Sequence, residues 1–403
     1  MNVMTATSKP LTKMPRAAVL LLDLLHAVRG GRLDISLPDG SKLCIDDGGA
    51  LHGSLQVHDW RMFEQVLWRS DIGFGDSYTA GQWDSPDPAA LLHLLTVNGA
   101  NLATAISGRF LGLLAHRLMQ ALRVNTRRGS RRNIMAHYDL GNDFYSAWLD
   151  PSMTYSAACF DSDTQSLEQA QQAKYRCILE CLHAQPGQHI LEVGCGWGGF
   201  AEYAAREYDC KVTGITVSPA QLEYARRRSQ QRGFADKADF LLCDYRDMHG
   251  SFDHIVSIEM FEAVGERYWP AYFAKLNRLL KPAGKVLIQT ITIHDDLFAS
   301  YRCGTDFIRS RVFPGGTLPA PGLFHVQARC GGFEVTDDYA FGADYTRTLR
   351  IWKQRFMSQQ TYLQHLGFDE RFIRLWRFYL AYCQAGFMAG NIDVRQFTLQ
   401  TRT

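Results

Sequence analysis

The sequence predicts an α/β fold, a mostly parallel sheet covered by helices on both faces, with a smaller and mainly helical N-terminal domain ahead of it. Two observations carry this expectation. Short β-branched or aliphatic runs at 189–193, 211–216, 239–242, 254–258 and 285–291 alternate with helical stretches, the pattern of strands joined by crossover helices. The first run leads into a glycine loop, Gly194-Cys195-Gly196-Trp197-Gly198-Gly199, placed between strand and helix where a backbone must turn sharply and admit a ligand. The 403 residues exceed what one core usually organises. The division expected is an N-terminal helical domain at 1–124, a basic linker at 125–135 and an α/β domain at 136–403.

Residues 1–16 carry Lys9, Lys13 and Arg16 among polar residues and lack the apolar centre of a cleavable signal, so they read as a loose tail. The apolar stretch 17–28 is interrupted by Asp23 and His26 and is too short to span ~30 Å of hydrocarbon. From there to residue 124 the pattern is helical, broken by a β-like stretch at 41–57. At 123–133 five arginines, Arg123, Arg127, Arg128, Arg131 and Arg132, stand among Gly, Ser and Asn. This run reads either as a solvated linker or as a contact for anionic lipid headgroups at ~1 kcal/mol per charge. The aromatic, arginine-rich stretch 349–387 reads as a helical cover.

With 43 basic and 41 acidic residues the chain offers no general attraction to nucleic acid, and the arginine run has no interleaved aromatics to stack on bases. Ten cysteines without C-x-x-C or zinc spacing point to reduced thiols, a cytoplasmic setting and no metal.

Glu192 decides what the glycine loop holds. A carboxylate there meets the ammonium of S-adenosylmethionine and repels the pyrophosphate of a dinucleotide. The next strand ends in Gly214-Ile215-Thr216-Val217-Ser218, without the acid a dinucleotide ribose requires ~20 residues on. The sheet is thus expected to be Rossmann-like, of the S-adenosylmethionine methyltransferase kind. Gly194, Cys195, Gly196 and Gly198 line the cofactor. Ser218-Pro219-Ala220-Gln221 starts a helix, with Thr216 and Gln221 at the strand-to-helix mouth for the ribose. Asp244 and Tyr245, ending the third strand, face the adenine.

Several motifs occur together: Gly75-Asp-Ser-Tyr-Thr-Ala-Gly81, His137-Tyr-Asp-Leu-Gly-Asn-Asp143, Tyr155-Ser156, the glycine loop, Met260-Phe-Glu-Ala-Val-Gly265 and Phe341-Gly-Ala-Asp-Tyr345. In combination the sequence resembles the cyclopropane-fatty-acyl-phospholipid synthases and their mycolic-acid and fatty-acid methyltransferase relatives, over nearly the whole chain. The resemblance implies that an acyl-chain alkene attacks the sulfonium methyl, a carbocation develops, and a base removes a proton to close a cyclopropane ring. It places Tyr155, Ser156 and Ile258 at cofactor contacts, and Glu262, Tyr345, Gln289 and Ile291 around a bicarbonate serving as the base. It also makes Cys383 an active-site residue, although on general grounds a cysteine among aromatics is a small buried hydrophobe. The implied partners are a phospholipid bilayer surface and unsaturated acyl chains, with the enzyme peripheral on the inner membrane face and a homodimer plausible for the family.

Three positions depart from the family pattern. Ala157 stands where a Cys is usual, Ala263 where a His follows the motif Glu, and Gln289 where a His precedes Ile291. Losing a thiol and imidazoles removes donors that an anion needs. Two outcomes remain open, cyclopropanation or a methyl-branched or methylene product. A non-catalytic lipid-binding protein and a small-molecule N-methyltransferase are the readings of other kinds; the retained Glu192 and Glu262 motifs weigh against the first, and the lipid-like N-terminal half against the second.

Overall fold

The computed structural model describes residues 14–102 and 140–402. The basic run at 123–133 and the first residues of the His137 motif lie outside them, as does the expected domain boundary. Contacts divide the chain into two compact units. The first comprises Met1–Leu122, Gly304–Val312 and Phe356–Ala389; the second comprises Arg123–Cys303, Phe313–Arg355 and Gly390–Thr403.

In the first unit β1 (Gly31–Ser36) pairs antiparallel with β2 (Lys42–Asp46) and parallel with β3 (Leu51–Val57), and β3 pairs with the short β4 (Trp83–Asp84). The β-like stretch therefore becomes two strands, joined by one that the sequence pattern did not reveal. Leu33 and Ile35 of β1 alternate with more exposed neighbours, so half of this strand is core. Helices Arg61–Thr79, Pro88–Val97 and Glu370–Met388 complete the unit. Asp87 caps the second of them by accepting from the Ala89 amide, with Pro88 in its first turn. Trp83 stacks on Phe74 at 4.2 Å, and the Arg374 guanidinium lies 4.2 Å from the Tyr78 ring centre while donating to the carbonyls of Tyr78 and Trp83. A Cβ at Gly75 would stand 2.3 Å from the Phe307 ring, so only glycine lets that segment close on the helix. Of the aromatic stretch expected as a helical cover, residues 356–387 thus help build this unit, while 349–355 belong to the second. Its amphipathic spacing shows that a face is buried but not against what.

The second unit is organised by a seven-stranded sheet in the order β10-β11-β9-β8-β5-β6-β7. These are β5 (His189–Val193), β6 (Lys211–Thr216), β7 (Ala238–Leu242), β8 (Phe252–Ile258), β9 (Leu280–Ile293), β10 (Phe333–Ala340) and β11 (Ile392–Thr401). The strands from β7 to β9 are parallel, whereas β11 is antiparallel to both β9 and β10. Ile190 joins a core with Leu179, Phe200, Val212 and Leu287, while Leu191 joins the opposite core with Phe261, Trp269, Phe273 and Phe324. Burial of both faces is what makes these strands continuous apolar runs in the sequence. This is the Rossmann-like arrangement. The connections leave in opposite directions between β5 and β8, which opens a crevice at the carboxyl ends of β5, β6 and β8. Among the described residues no helix is long and apolar enough to cross a membrane.

Candidate active site

The crevice begins where β5 ends. Gly194 adopts φ +88°, and a Cβ there would meet the Met260 side chain at 3.0 Å, so the loop and the segment after β8 are packed face to face. Gly198 caps the helix Gly199–Glu207 in a left-handed conformation. Trp197 ties the loop to the surviving end of the His137 motif by donating to Asn142 Oδ1 at 2.7 Å. Behind the loop Glu192 is buried, its Oε2 has no hydrogen-bond partner, and burial pushes its pKa well above the ordinary carboxylate range. A buried acceptor left in this state is stabilised by a cationic ligand. The ammonium of S-adenosylmethionine fits it.

Thr216 and Gln221 are brought together, the hydroxyl donating to the amide oxygen at 2.8 Å, and Ser218 caps the helix Pro219–Arg232. Asp244 is turned toward its own chain, held by Arg246 at 2.8 and 2.5 Å, with Tyr245 edge-on to Tyr272 at 5.1 Å. Tyr155 lies in an aromatic box, 5.5 Å from Tyr145 and Trp148 and 5.4 Å from Trp352, and Tyr345 stands edge-on to Trp352 at 6.0 Å.

A carboxylate cluster sits beyond the end of β8. Glu259 Oε1 accepts from the Ala157 amide and from Gln289 Nε2, both at 2.8 Å, and its Oε2 accepts from the Tyr345 hydroxyl at 2.7 Å. Gln289 pairs with Ile258 across the strands and is oriented by Gln396, which donates to its amide oxygen at 3.0 Å. Glu262 Oε1 accepts from the Ile291 amide at 2.6 Å, while its Oε2 is buried without a partner. Lys174, fully buried, donates to Ser156 Oγ at 2.5 Å. Burial pushes its pKa down to about 8, against the opposing pull of Glu259.

The sequence matches the mycolic acid cyclopropane synthetase profile over residues 125–397, about two thirds of the chain. The chain belongs to this family. It is 40% identical over 338 residues to the tuberculostearic acid methyltransferase UfaA1 of Mycobacterium tuberculosis, covering 81% of this chain and 78% of the relative. It is 36% identical over 376 residues to the cyclopropane-fatty-acyl-phospholipid synthase of Escherichia coli, covering 90% and 94%. Among solved structures the mycolic acid cyclopropane synthase CmaA1, complexed with SAH and CTAB, superposes with a TM-score of 0.64 at 34% identity over 67% of this chain and 98% of that one. This member of the cyclopropane synthetase family is therefore an S-adenosylmethionine-dependent methyltransferase, and S-adenosylmethionine is its cofactor.

Two features of this family member escape a reading of its sequence. Glu259 is an acid placed directly after a buried strand and three residues before Glu262, a spacing that is legible but carries no local signature. Lys174 falls on the buried face of the helix Leu167–Leu182, where a lysine needs a partner. The bicarbonate expected from the resemblance does not fit, because the Ala157, Gln289 and Tyr345 donors are already engaged by Glu259. Cys159, two residues on from Ala157, is buried, and burial pushes its thiol up to about 12. Burial likewise raises the Cys195 thiol, which leaves it a packing group. Cys383 belongs to the first unit, on the helix Glu370–Met388, whereas Glu262, Tyr345, Gln289 and Ile291 all belong to the second.

Burial, followed by the neighbouring Glu259, pushes the Glu262 carboxyl up to about 8. From its unfolded value of about 4.5 up to that pH, the folded chain keeps a proton that the unfolded chain has lost. Stability should thus fall as pH rises through this window, by up to about 1.4 kcal/mol per pH unit. Urea unfolding between pH ~5.5 and ~7.5 should reveal the slope, and Glu262→Gln should flatten it; an unchanged slope in the variant would assign the proton elsewhere.

Proposed function

We propose that the enzyme transfers a one-carbon unit from S-adenosylmethionine to the double bond of unsaturated phospholipid acyl chains, giving cyclopropane fatty acids. The observation that carries this reading is the pairing, in one unit, of the orphaned Glu192 oxygen with a carboxylate cluster beneath an aromatic wall. S-adenosylmethionine supplies an electrophilic methyl. Glu192 anchors its ammonium, while Tyr155, Trp148 and Trp352 exclude water and present ring faces that favour positive charge by ~2 kcal/mol when desolvated. A developing acyl cation needs that surrounding and a nearby base; an amine substrate carries its own lone pair and needs neither.

A second reading, a methyl-branched or methylene product, is favoured by Ala157 and Gln289 in place of the expected thiol and imidazole, and by the similarity to a tuberculostearic acid methyltransferase. Under either reading the enzyme works from the cytoplasm, peripheral on the inner membrane face and plausibly as a homodimer. The test is expression in a host rich in monounsaturated phospholipids fed methyl-labelled methionine, with double-bond-sensitive mass spectrometry of the acyl chains. One labelled carbon with loss of the alkene is the expected result. A labelled carbon with unsaturation retained selects the second reading. No labelled lipid, with expression and cofactor binding verified, sinks both and leaves a non-catalytic lipid binder or a small-molecule methyltransferase.

A further inference from the structure

We infer that Glu259 fills the anion site of this enzyme with a carboxylate of the chain's own and is itself the base of the reaction. The inference rests on the proposed acyl-chain alkylation for its chemistry, and on geometry for its placement.

Three donors from three separate segments converge on this one side chain: the Ala157 amide, the Gln289 amide nitrogen and the Tyr345 hydroxyl, at 2.8, 2.8 and 2.7 Å. The Glu259 backbone is held as well, its amide donating to the Gln289 carbonyl at 2.8 Å. A dissolved oxyanion would find these donors taken. Glu259 also has φ +49°, the left-handed region that a residue with a Cβ rarely adopts. Such strain persists only where the surroundings over-determine it, and it collects at functional sites. Its location suits the chemistry. The residue follows β8 at the crevice, and its neighbour Met260 packs against Gly194 of the cofactor loop. Lys174 acts electrostatically on both Glu259 and Glu192, so one buried cation serves the cofactor's anchor and the base.

Glu262 is the less suited of the two acids. The Ile291 amide is its close hydrogen-bond donor, with smaller support from its own backbone and the Thr290 hydroxyl, and the adjacent Glu259 favours its neutral form. Burial raises the Glu259 carboxyl too, but Lys174 and three hydrogen-bond donors oppose that rise, so of the two acids Glu259 is the one better placed to carry a negative charge. In the reaction a C–H bond of the transferred methyl breaks, its electron pair closes the ring onto the cationic carbon, and the proton goes to the Glu259 carboxylate. In the branched alternative the bond that breaks is on a neighbouring carbon and the pair forms the alkene. Either way an uncharged acyl chain and a neutral carboxyl result, and the proton returns to solvent before the next turnover.

The test combines turnover on vesicles of monounsaturated phosphatidylglycerol with titration of the full-length protein by ¹³C-bicarbonate followed by NMR. The wild-type enzyme should show no saturable bicarbonate binding and no change in turnover between carbon-dioxide-free and bicarbonate-supplemented buffer. Glu259→Gln should lose about 100-fold or more in turnover while S-adenosylmethionine affinity stays within about threefold. Glu259→Gly, in a backbone conformation that suits glycine, should bind bicarbonate and regain turnover only when it is added. Saturable bicarbonate binding by the wild type, or a Glu259→Gln variant within about tenfold of wild-type turnover, overturns the inference. If the wild type alkylates no acyl chain, the substrate reading has failed, and the bicarbonate titrations of wild type and Glu259→Gly still decide whether Glu259 fills the anion site.

Discussion

Glu192→Gln should raise the dissociation constant for S-adenosylmethionine by about 10²–10³-fold, measured by isothermal titration calorimetry. Breaking a buried charge pair by removing one partner costs about 3–5 kcal/mol, or about 160- to 4,700-fold, and the lower part of that span is expected here because burial already favours the neutral form of Glu192. The amide keeps the size and most of the packing of the side chain, so the loss reports the charge. The same substitution should act in the opposite direction on the ligand-free protein. There Glu192 Oε2 is buried and unpartnered, and burial already favours its neutral form. A neutral amide removes that penalty, so the apo variant should unfold at an equal or higher urea midpoint than the wild type. An affinity loss below about tenfold would mean that the ammonium is held elsewhere.

The second large effect is expected at Lys174. This lysine interacts electrostatically with Glu259 and Glu192, and it is the cation that favours their ionised forms. Lys174→Met keeps the length and removes the charge. The carboxylates then ionise less readily, because the nearby opposite charge that favours their ionised forms is gone. The acid limb of the turnover profile should move up by at least about one pH unit, with a loss of about 10–100-fold near pH 7 that is partly recovered as pH rises. A uniformly lower profile with an unmoved limb would assign Lys174 to packing through its bond to Ser156 Oγ.

The parallel core was readable from the residues alone. The runs 189–193 and 211–216 coincide with β5 and β6, because a strand buried on both faces has no polar alternation to blur it. The cap at Ser218 and Pro219 was readable because local chemistry alone determines it. β10 and β11 were not anticipated. β10 in particular carries exposed Glu334 and Asp337 and half-buried Asp338, and its strand character comes from pairing with a segment some sixty residues on. In the site, Glu192 could be found because its loop has a local signature. Glu259 and Lys174 could not, since their meaning depends on donors and partners contributed from elsewhere in the chain. The departures from the family pattern stand at Ala157, Ala263 and Gln289, and none of them points to Glu259.

The inclusion of 304–312 and 356–389 in the first unit bears on how the chain is made. Arg374 donates to the Tyr78 carbonyl across 296 residues of sequence, and Phe307 and Phe378 meet at 4.7 Å inside the same core. On the ribosome, the segment that emerges first cannot finish its core until nearly all of the chain has been synthesised, whereas the sheet of the second unit can begin to pair earlier. The N-terminal unit thus waits for residue 389, and the second unit's sheet then closes with β11, which pairs with β9 and β10. A fragment ending near residue 124 would lack Phe307, Arg374 and Phe378 and expose the apolar surface they cover, and one beginning near residue 136 would carry those segments without their partners. The enzyme is one cooperative product of its whole length, and its halves are not portable.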